Sequence, residues 1–287
     1  MFCLFFSNFE KNRNMTENFA SLESNTLIIG IFSKEVVYTI FNKETTSFSA
    51  IESDKYASDI ELTESIKKII NKESVSAASC EQLILVNQTY RSMLVPESLF
   101  DKNNLVTFLK FHHNVDERDY LHYVKIADSE AYSVFSIPST IEDLLSSKFE
   151  KVHYLHHSIP FISSALSIYN KYNTLPEFYL NVTPDFFDIL IIRNKKIQLF
   201  NSFLYQKYTD AIYFIVNILN LYSYSPNNVK LIISGNINKE DNFYSGLAKI
   251  FNMVEIQKIP PSVKVEPDMQ PVEMQKLVHV FNAVLCV

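Results

Sequence analysis

The sequence has no tryptophan, only three glycines and three cysteines in 287 residues, and no excess of basic side chains. Glycine ordinarily makes up about 7% of a protein, whereas here Gly30, Gly235 and Gly246 are the full set. Neither a GxGxxG fingerprint nor a GxxxxGK(S/T) loop can be written with those positions, so Rossmann and P-loop sites are excluded by counting. Lys and Arg number 26 against 32 Asp and Glu, a net charge of −6 with no strongly basic segment. A nucleic-acid partner is therefore not expected, because such partners are held by neutralising phosphates. Cys3, Cys80 and Cys286 lie far apart with no CxxC pair, a usage that fits inert thiols in a reducing cytoplasm better than a disulfide-stapled secreted domain. No apolar run approaches the roughly 18 residues that a spanning helix needs, so no membrane span is expected. The apolar stretch from Met1 to Phe6 lacks the basic start of a signal peptide and soon reaches Glu10, Lys11 and Arg13. Residues 1–20 read as a disordered N-terminal extension, with Met1 and Met15 both open as the native start.

What is present is core material: 47% hydrophobic and 14% aromatic residues, enough for a large packed interior in a chain long enough for two domains. Three strands are expected first, at Leu27–Phe32, Val36–Phe41 and Thr45–Ile51, separated by short polar breaks. A helix follows over Asp59–Ile70, with Leu62, Ile66, Ile69 and Ile70 at helical spacing, acids at its start and Lys67-Lys68 near its end. Leu83–Val86 then reads as a buried strand.

The same order recurs. Strands are expected at Phe178–Val182, Phe187–Arg193 and Ile197–Leu204, a helix at Asp210–Leu221 and a buried strand at Val229–Ile233. Phe178, Phe187 and Asp210 each lie 151 residues after Leu27, Val36 and Asp59, and Leu231 lies 148 after Leu83. The side chains are poorly matched, so a structural pattern repeats rather than a sequence. Between the halves an inserted block offers a strand at Arg91–Val95, a hairpin of Tyr120–Ala127 with Ala131–Ile137, a helix from Pro138, a short strand at Val152–Leu155 and a helix from Pro160. The helix after Asp210 is apolar nearly all round, which predicts cover on two sides, as between two domains. A terminal helix is expected from Pro271.

Candidate chemistry is sparse. His112, His113 and His122, then His153, His156 and His157, form two groups, but adjacent His156 and His157 point apart on either a strand or a helix, so a polar loop is preferred to a metal site. Asp185 and Asp188 resemble a carboxylate pair, yet Thr183-Pro184-Asp185 is turn chemistry and Asp188 enters a strand. The segment Leu231-Ile232-Ile233-Ser234-Gly235-Asn236 is a buried strand breaking at glycine before a helix, the place where open α/β sheets present free amides to ligands; the plainer reading is that Gly235 makes the turn.

The paired strand-strand-strand-helix-strand halves resemble the actin-like ATPase superfamily of sugar kinases and Hsp70, in which two RNase H-like domains enclose a nucleotide cleft. More narrowly, Leu85-Val86-Asn87, the run from Met93 to Phe100, the run from Leu199 to Phe203 and Ile233-Ser234-Gly235-Asn236 resemble an uncharacterised bacterial domain-of-unknown-function family of that fold, over nearly all of residues 20–287. The resemblance implies an α/β fold of two mixed sheets flanked by helices, with halves at 21–173 and 174–287. It also implies an Asp-x-Gly phosphate turn in each half, and this chain departs from that pattern. Its first turn is Ile31-Phe32-Ser33-Lys34-Glu35 and its second Asn181-Val182-Thr183-Pro184-Asp185, with no glycine in either. Those turns supply the positioning and charge stabilisation of phosphoryl transfer. The expectation is a cytoplasmic pseudo-ATPase that binds a protein partner or small ligand, with no Mg-ATP cofactor and no metal. Its ligand contacts are expected from Ser33, Lys34, Asn181, Thr183, Ser234, Gly235 and Asn236. The competing reading is a divergent ATPase or kinase whose acid is Asp185, Asp188 or Glu35.

Overall fold

The computed structural model describes residues 22, 24–169, 175–257, 264–265 and 275–287; the expected N-terminal extension and the proline-rich segment around Pro260 and Pro271 lie outside them. The first unit is β1 (Asn25–Ile31), β2 (Glu35–Asn42), β3 (Ser47–Lys55), α1 (Asp59–Ile70), α2 (Glu73–Ala77) and β4 (Gln82–Asn87). An insertion follows, with β5 (Ser92–Pro96), α3 (Leu105–Lys110), β6 (Tyr120–Lys125), β7 (Ala131–Ile137) and α4 (Ser139–Ser146), before β8 (Lys151–His156) and α5 (Ser158–Ile168). The second unit is β9 (Glu177–Val182), β10 (Phe186–Arg193), β11 (Lys196–Leu204), α6 (Tyr208–Leu221), β12 (Lys230–Gly235), α7 (Asn242–Ala248) and β13 (Met253–Ile256). The short β14 (Lys264–Val265) and α8 (Val278–Asn282) close the chain.

Helix α1 shows why these elements form where they do. The Ser58 hydroxyl caps its start by accepting from the Glu61 amide at 3.3 Å, and Glu61 reaches back to the Ala57 amide at 2.8 Å. Both bonds satisfy donors that have no partner inside the helix. Leu62, Ile66 and Ile69 then form the buried stripe.

Both halves are built alike. The first sheet has the order β14-β3-β2-β1-β4-β8 and the second β11-β10-β9-β12-β13. In each, the first strand pairs antiparallel with the second and parallel with the fourth. The register repeats as well: Leu27 faces Leu83 in one sheet and Phe178 faces Leu231 in the other. The insertion forms a third sheet, β5-β7-β6.

Packing divides into layers. One face of the second sheet, with Phe178, Leu180, Phe187 and Ile189, packs against α6 and α7. Its other face, with Tyr179, Leu190 and Ile232, shares one core with the first sheet, α5 and the C-terminal residues Leu277, Val280, Phe281 and Val284. The C-terminal segment thus returns to the first sheet, and β14 also pairs with β3.

Helix α6 is not the helix between the halves. It buries the single stripe Ala211, Ile215, Ile218 and Leu219, while Tyr213 is 64% exposed and Leu221 79%. The enclosed helix is α5, with eight of its 11 residues buried. Apolar content identified a helix rich in oily side chains; which helix has neighbours on both sides is decided by topology, which places α5 and α8 between the sheets. No helix among the described residues is long and apolar enough to cross a membrane.

Candidate functional site

Two hairpin turns face each other at equivalent ends of the sheets, with a cleft of about 320 Å³ between them. In the first, the Phe32 amide donates to the Glu35 carbonyl at 2.8 Å, and the Tyr56 hydroxyl donates to the Phe32 carbonyl. In the second, the Thr183 amide donates to the Phe186 carbonyl at 2.9 Å, and the Phe186 amide donates to the Thr183 hydroxyl at 3.0 Å. The Tyr205 hydroxyl holds the Thr183 carbonyl at 2.6 Å, and Pro184 has no amide donor. The amides of Phe32, Thr183 and Phe186 are therefore consumed inside the turns. The turns also touch: the Ser33 hydroxyl donates to the Asp185 carboxylate across the gap.

Charge in the cleft is mixed. Lys34, Lys55 and Lys276 line it, as do Glu35 and Asp185. Lys276 pairs with Glu35 and sits 6.0 Å from the centre of the Phe32 ring. Burial alone would raise the Glu35 carboxyl, but hydrogen bonds from Lys276 and Ser53 and the charges of Lys276 and Lys55 outweigh it and hold the group below the ordinary value. A phosphate entering between the turns would meet the Asp185 carboxylate together with Lys34, Lys55 and Lys276.

A third loop closes the floor. Gly235 has φ +89°, and a Cβ there would lie 2.1 Å from the Val182 carbonyl oxygen. Its lack of a side chain serves close approach to β9 within the sheet, and the Asn236 amide completes the junction by donating to Val182 at 2.7 Å. Gln275 donates to the carbonyls of Gly235 and Ile237 at 3.3 and 2.8 Å, tying the loop to the C-terminal segment.

Behind the second turn lies a buried polar row. Strand alternation puts Asn181 and Asp188 on the inner face, directly opposite each other, and Ser202 opposite Asp188 on the next strand. The Asp188 carboxylate, fully buried, accepts from His157 Nε2 at 2.6 Å, Asn181 at 2.8 Å and Ser202 at 2.5 Å. His279 Nε2 donates to Asn181 at 2.9 Å. Burying a carboxylate costs several kcal/mol, and hydrogen bonds to a charged group return about 1.5–3 kcal/mol each. His157 comes from the first half, Asp188 from the second and His279 from the C-terminal helix, so the row fastens three parts of the chain together. Burial, reinforced by the His157 charge and opposed by Asp188, pushes His279 down to about 3.

Of the residues expected at a site, Ser33, Lys34, Thr183, Gly235 and Asn236 line the cleft. Asn181 and Ser234 do not: both are fully buried, Asn181 in the polar row and Ser234 donating to the Leu180 carbonyl at 3.2 Å. Of the three acids considered, Glu35 and Asp185 line the cleft, whereas Asp188 is sealed behind it. His156 and His157 form no polar loop; both are fully buried, and His156 bonds the Thr89 carbonyl and Ser158, each at 2.8 Å. Lys55, Lys276 and His279 were not anticipated. The signal available for the row was a lone Asp in the apolar run Phe186–Arg193, set against a lone Asn in Phe178–Val182.

The geometry has known counterparts. A Bacteroides thetaiotaomicron protein with actin-like ATPase fold and unknown function is 18% identical, with 91% of this chain and 97% of that one covered at a TM-score of 0.75. The PilM-PilN type IV pilus biogenesis complex is 10% identical over 91% of this chain and 96% of that one, at 0.58. The ethanolamine utilization protein EutJ from Carboxydothermus hydrogenoformans is 9% identical over 96% and 99%, at 0.50. At these identities the likeness is one of fold. No curated protein matches the sequence. The model of the family described as "Protein of unknown function (DUF3822)" matches residues 14–254, and the chain, with its two like-built sheets and facing hairpin turns, belongs to that family and has the actin-like ATPase fold.

Proposed function

We propose that this chain is a non-hydrolysing member of the actin-like fold, made of halves at 21–173 and 174–287, that acts by binding a protein partner or a small ligand other than Mg-ATP. The observation that carries the reading is the direct contact of the two turns through Ser33 and Asp185. An exposed hydrogen bond of this kind contributes only about 1 kcal/mol; its importance is its position, where the fold's catalytic members need free amides and a metal-directed acid. Glu35 and Asp185 offset two of the three lysines that line the cleft, and Lys276 is already paired with Glu35. A partner-binding role is in keeping with the PilM-PilN complex among its structural neighbours. A reducing, cytoplasmic setting is in keeping with the free thiols of Cys80 and Cys286; burial pushes them up to about 11 and about 12, which leaves neither a ready nucleophile.

Calorimetric titration with Mg-ATP, paired with a phosphate-release assay, tests the reading. The expected result is no saturable heat at ligand concentrations up to about 1 mM, a free-energy threshold near 4 kcal/mol, and no phosphate release. Saturable binding with release that Asp185→Asn or Glu35→Gln abolishes would replace this reading with the divergent ATPase.

A further inference from the structure

A second concavity runs along the opposite side of the second sheet's edge. It consists of two adjoining depressions of about 500 and about 540 Å³ that share Leu94, Leu199 and Phe200. One wall is β11, whose residues from Lys196 to Leu204 line the groove without a break. Side chains alternate between the faces of a strand, so consecutive lining residues mean that the edge itself faces the groove. The packing agrees, because Leu199 lies against the α6 side of the sheet and Phe200 against the central core. The facing wall is β5, through Ser92, Met93 and Leu94.

Both walls are terminal strands: β11 ends the five-stranded sheet and β5 ends the three-stranded sheet among the described residues. Side chains bond some of the β11 backbone, with Tyr222 donating to the Gln198 carbonyl at 3.3 Å and Asn201 accepting from the Ser202 amide at 2.9 Å. The Ser92 hydroxyl, buried in the wall, has no hydrogen-bond partner. The β5 edge is largely met already, with the Ser92 amide donating to the Tyr90 carbonyl at 3.2 Å, His113 bonding the Ser92 carbonyl at 3.2 Å and Pro96 lacking a donor. The open edge is that of β11, which suits a further strand, whereas a helix, which satisfies its own backbone, would leave it unmet.

Charge narrows the occupant. At one end Lys195 and Lys196 are matched by Asp128 and Glu130, and the other end has no Asp, Glu, Lys or Arg in its lining. The slot is thus formally neutral on a chain of net charge −6, complementary to an uncharged segment.

We propose that this groove binds an uncharged, apolar segment of a partner protein in extended conformation, paired by its backbone with β11 and packed against the side chains of β5. Nine residues of β11 correspond to a bound strand of about 30 Å. The inference rests on the reading of this chain as a partner-binding protein but not on the state of the cleft, so peptide binding here together with ATP turnover would refute that cleft reading alone.

The test pans a phage-displayed library of random decapeptides on the full chain and synthesises the strongest binder in plain and alternately N-methylated forms. The expected binder is uncharged and slows amide exchange in residues 196–204. N-methylation, which removes backbone donors and keeps the side chains, is expected to weaken binding about tenfold or more, as is Leu199→Asp in a protein of unchanged melting midpoint. The proposal is overturned if no such peptide emerges, if protection falls elsewhere, or if the N-methylated form binds equally well. It is also overturned if those amides are already protected in the free chain and become exposed on removal of residues 1–20 or on dilution, outcomes that would assign the slot to the chain's own N-terminus or to a second copy.

Discussion

Gly30 paired with Val37, and Asn181 paired with Asp188, occupy the same place in two sheets of the same construction. In the first half the position is apolar, and a Cβ on Gly30 would lie 2.7 Å from Val280 Cγ2. In the second half it is polar, and His279 bonds Asn181. Consecutive residues of one helix therefore meet the equivalent points of both halves. The comparison shows that a duplicated backbone framework does not require duplicated chemistry. One half joins the C-terminal helix by steric fit, which demands the absence of a side chain, and the other by a hydrogen-bonded network, which demands a buried charge with all its partners present.

The strongest way to break the comparison is Asp188→Ala. Removing the carboxylate leaves His157, Asn181 and Ser202 without their acceptor, and loss of one member of a buried pair costs about 3–5 kcal/mol. Val37→Ala at the matching apolar place is expected to cost about 2 kcal/mol. Urea unfolding of the two variants measures the difference; equal losses would mean that the polar row contributes no more than ordinary packing.

Next is Gly30→Ala. Its Cβ also comes within 3.0 Å of the Phe32 ring, and overpacking of this kind costs about 1–3 kcal/mol. Val280→Ala makes room, so the double variant is expected to be more stable than the sum of the single losses implies. Strict additivity in a double-mutant cycle would place the clash elsewhere.

Acid sharpens the contrast. His279 is held neutral in the fold, with a pKa of about 3, whereas the unfolded chain takes up a proton near 6.5. Between those values the unfolded state binds more protons, so stability is full above about 6.5 and declines as the pH falls toward 3. His156, lowered by burial and the nearby His157 charge, acts in the same direction. Lowering the pH from 7.5 to 5.5 is expected to cost on the order of 1 kcal/mol through His279, and His279→Gln should flatten that part of the profile. A variant with the same pH slope as the parent would show that His279 is not the group responsible.

The smallest effect is expected on the outer face of α6. Leu221→Ser, at a residue 79% exposed, should change stability by no more than about 0.5 kcal/mol. A loss of 2 kcal/mol would indicate that this face is covered in solution.

Much of the framework was legible because it is written locally. Alternation, turn residues and an amphipathic stripe with acids first and lysines last located β1, β2, β10 and α1 within a residue or two, and the spacing of 151 residues carried the register of the two sheets. The distant contributors to the cleft and to the buried row behind it were not legible. Lys276 reaches Glu35 across 241 positions and His279 reaches Asn181 across 98, and no local pattern encodes such a meeting. Asn181 illustrates a subtler limit. It sits at the end of a strand beside the expected site, but in a strand buried on both faces only the sheet's packing tells which side a residue serves. His156 and His157 were misplaced for a related reason: polar side chains suggest solvent until a buried partner such as Asp188 is known.

Amide NMR of Ser33, Lys34, Asp185 and Asn236 during titration with Mg-ATP reads the two turns themselves. These four resonances are expected to stay in place through concentrations of about 5 mM, beyond the range of even millimolar affinity. Saturable shifts at both turns together would show that the cleft takes the nucleotide.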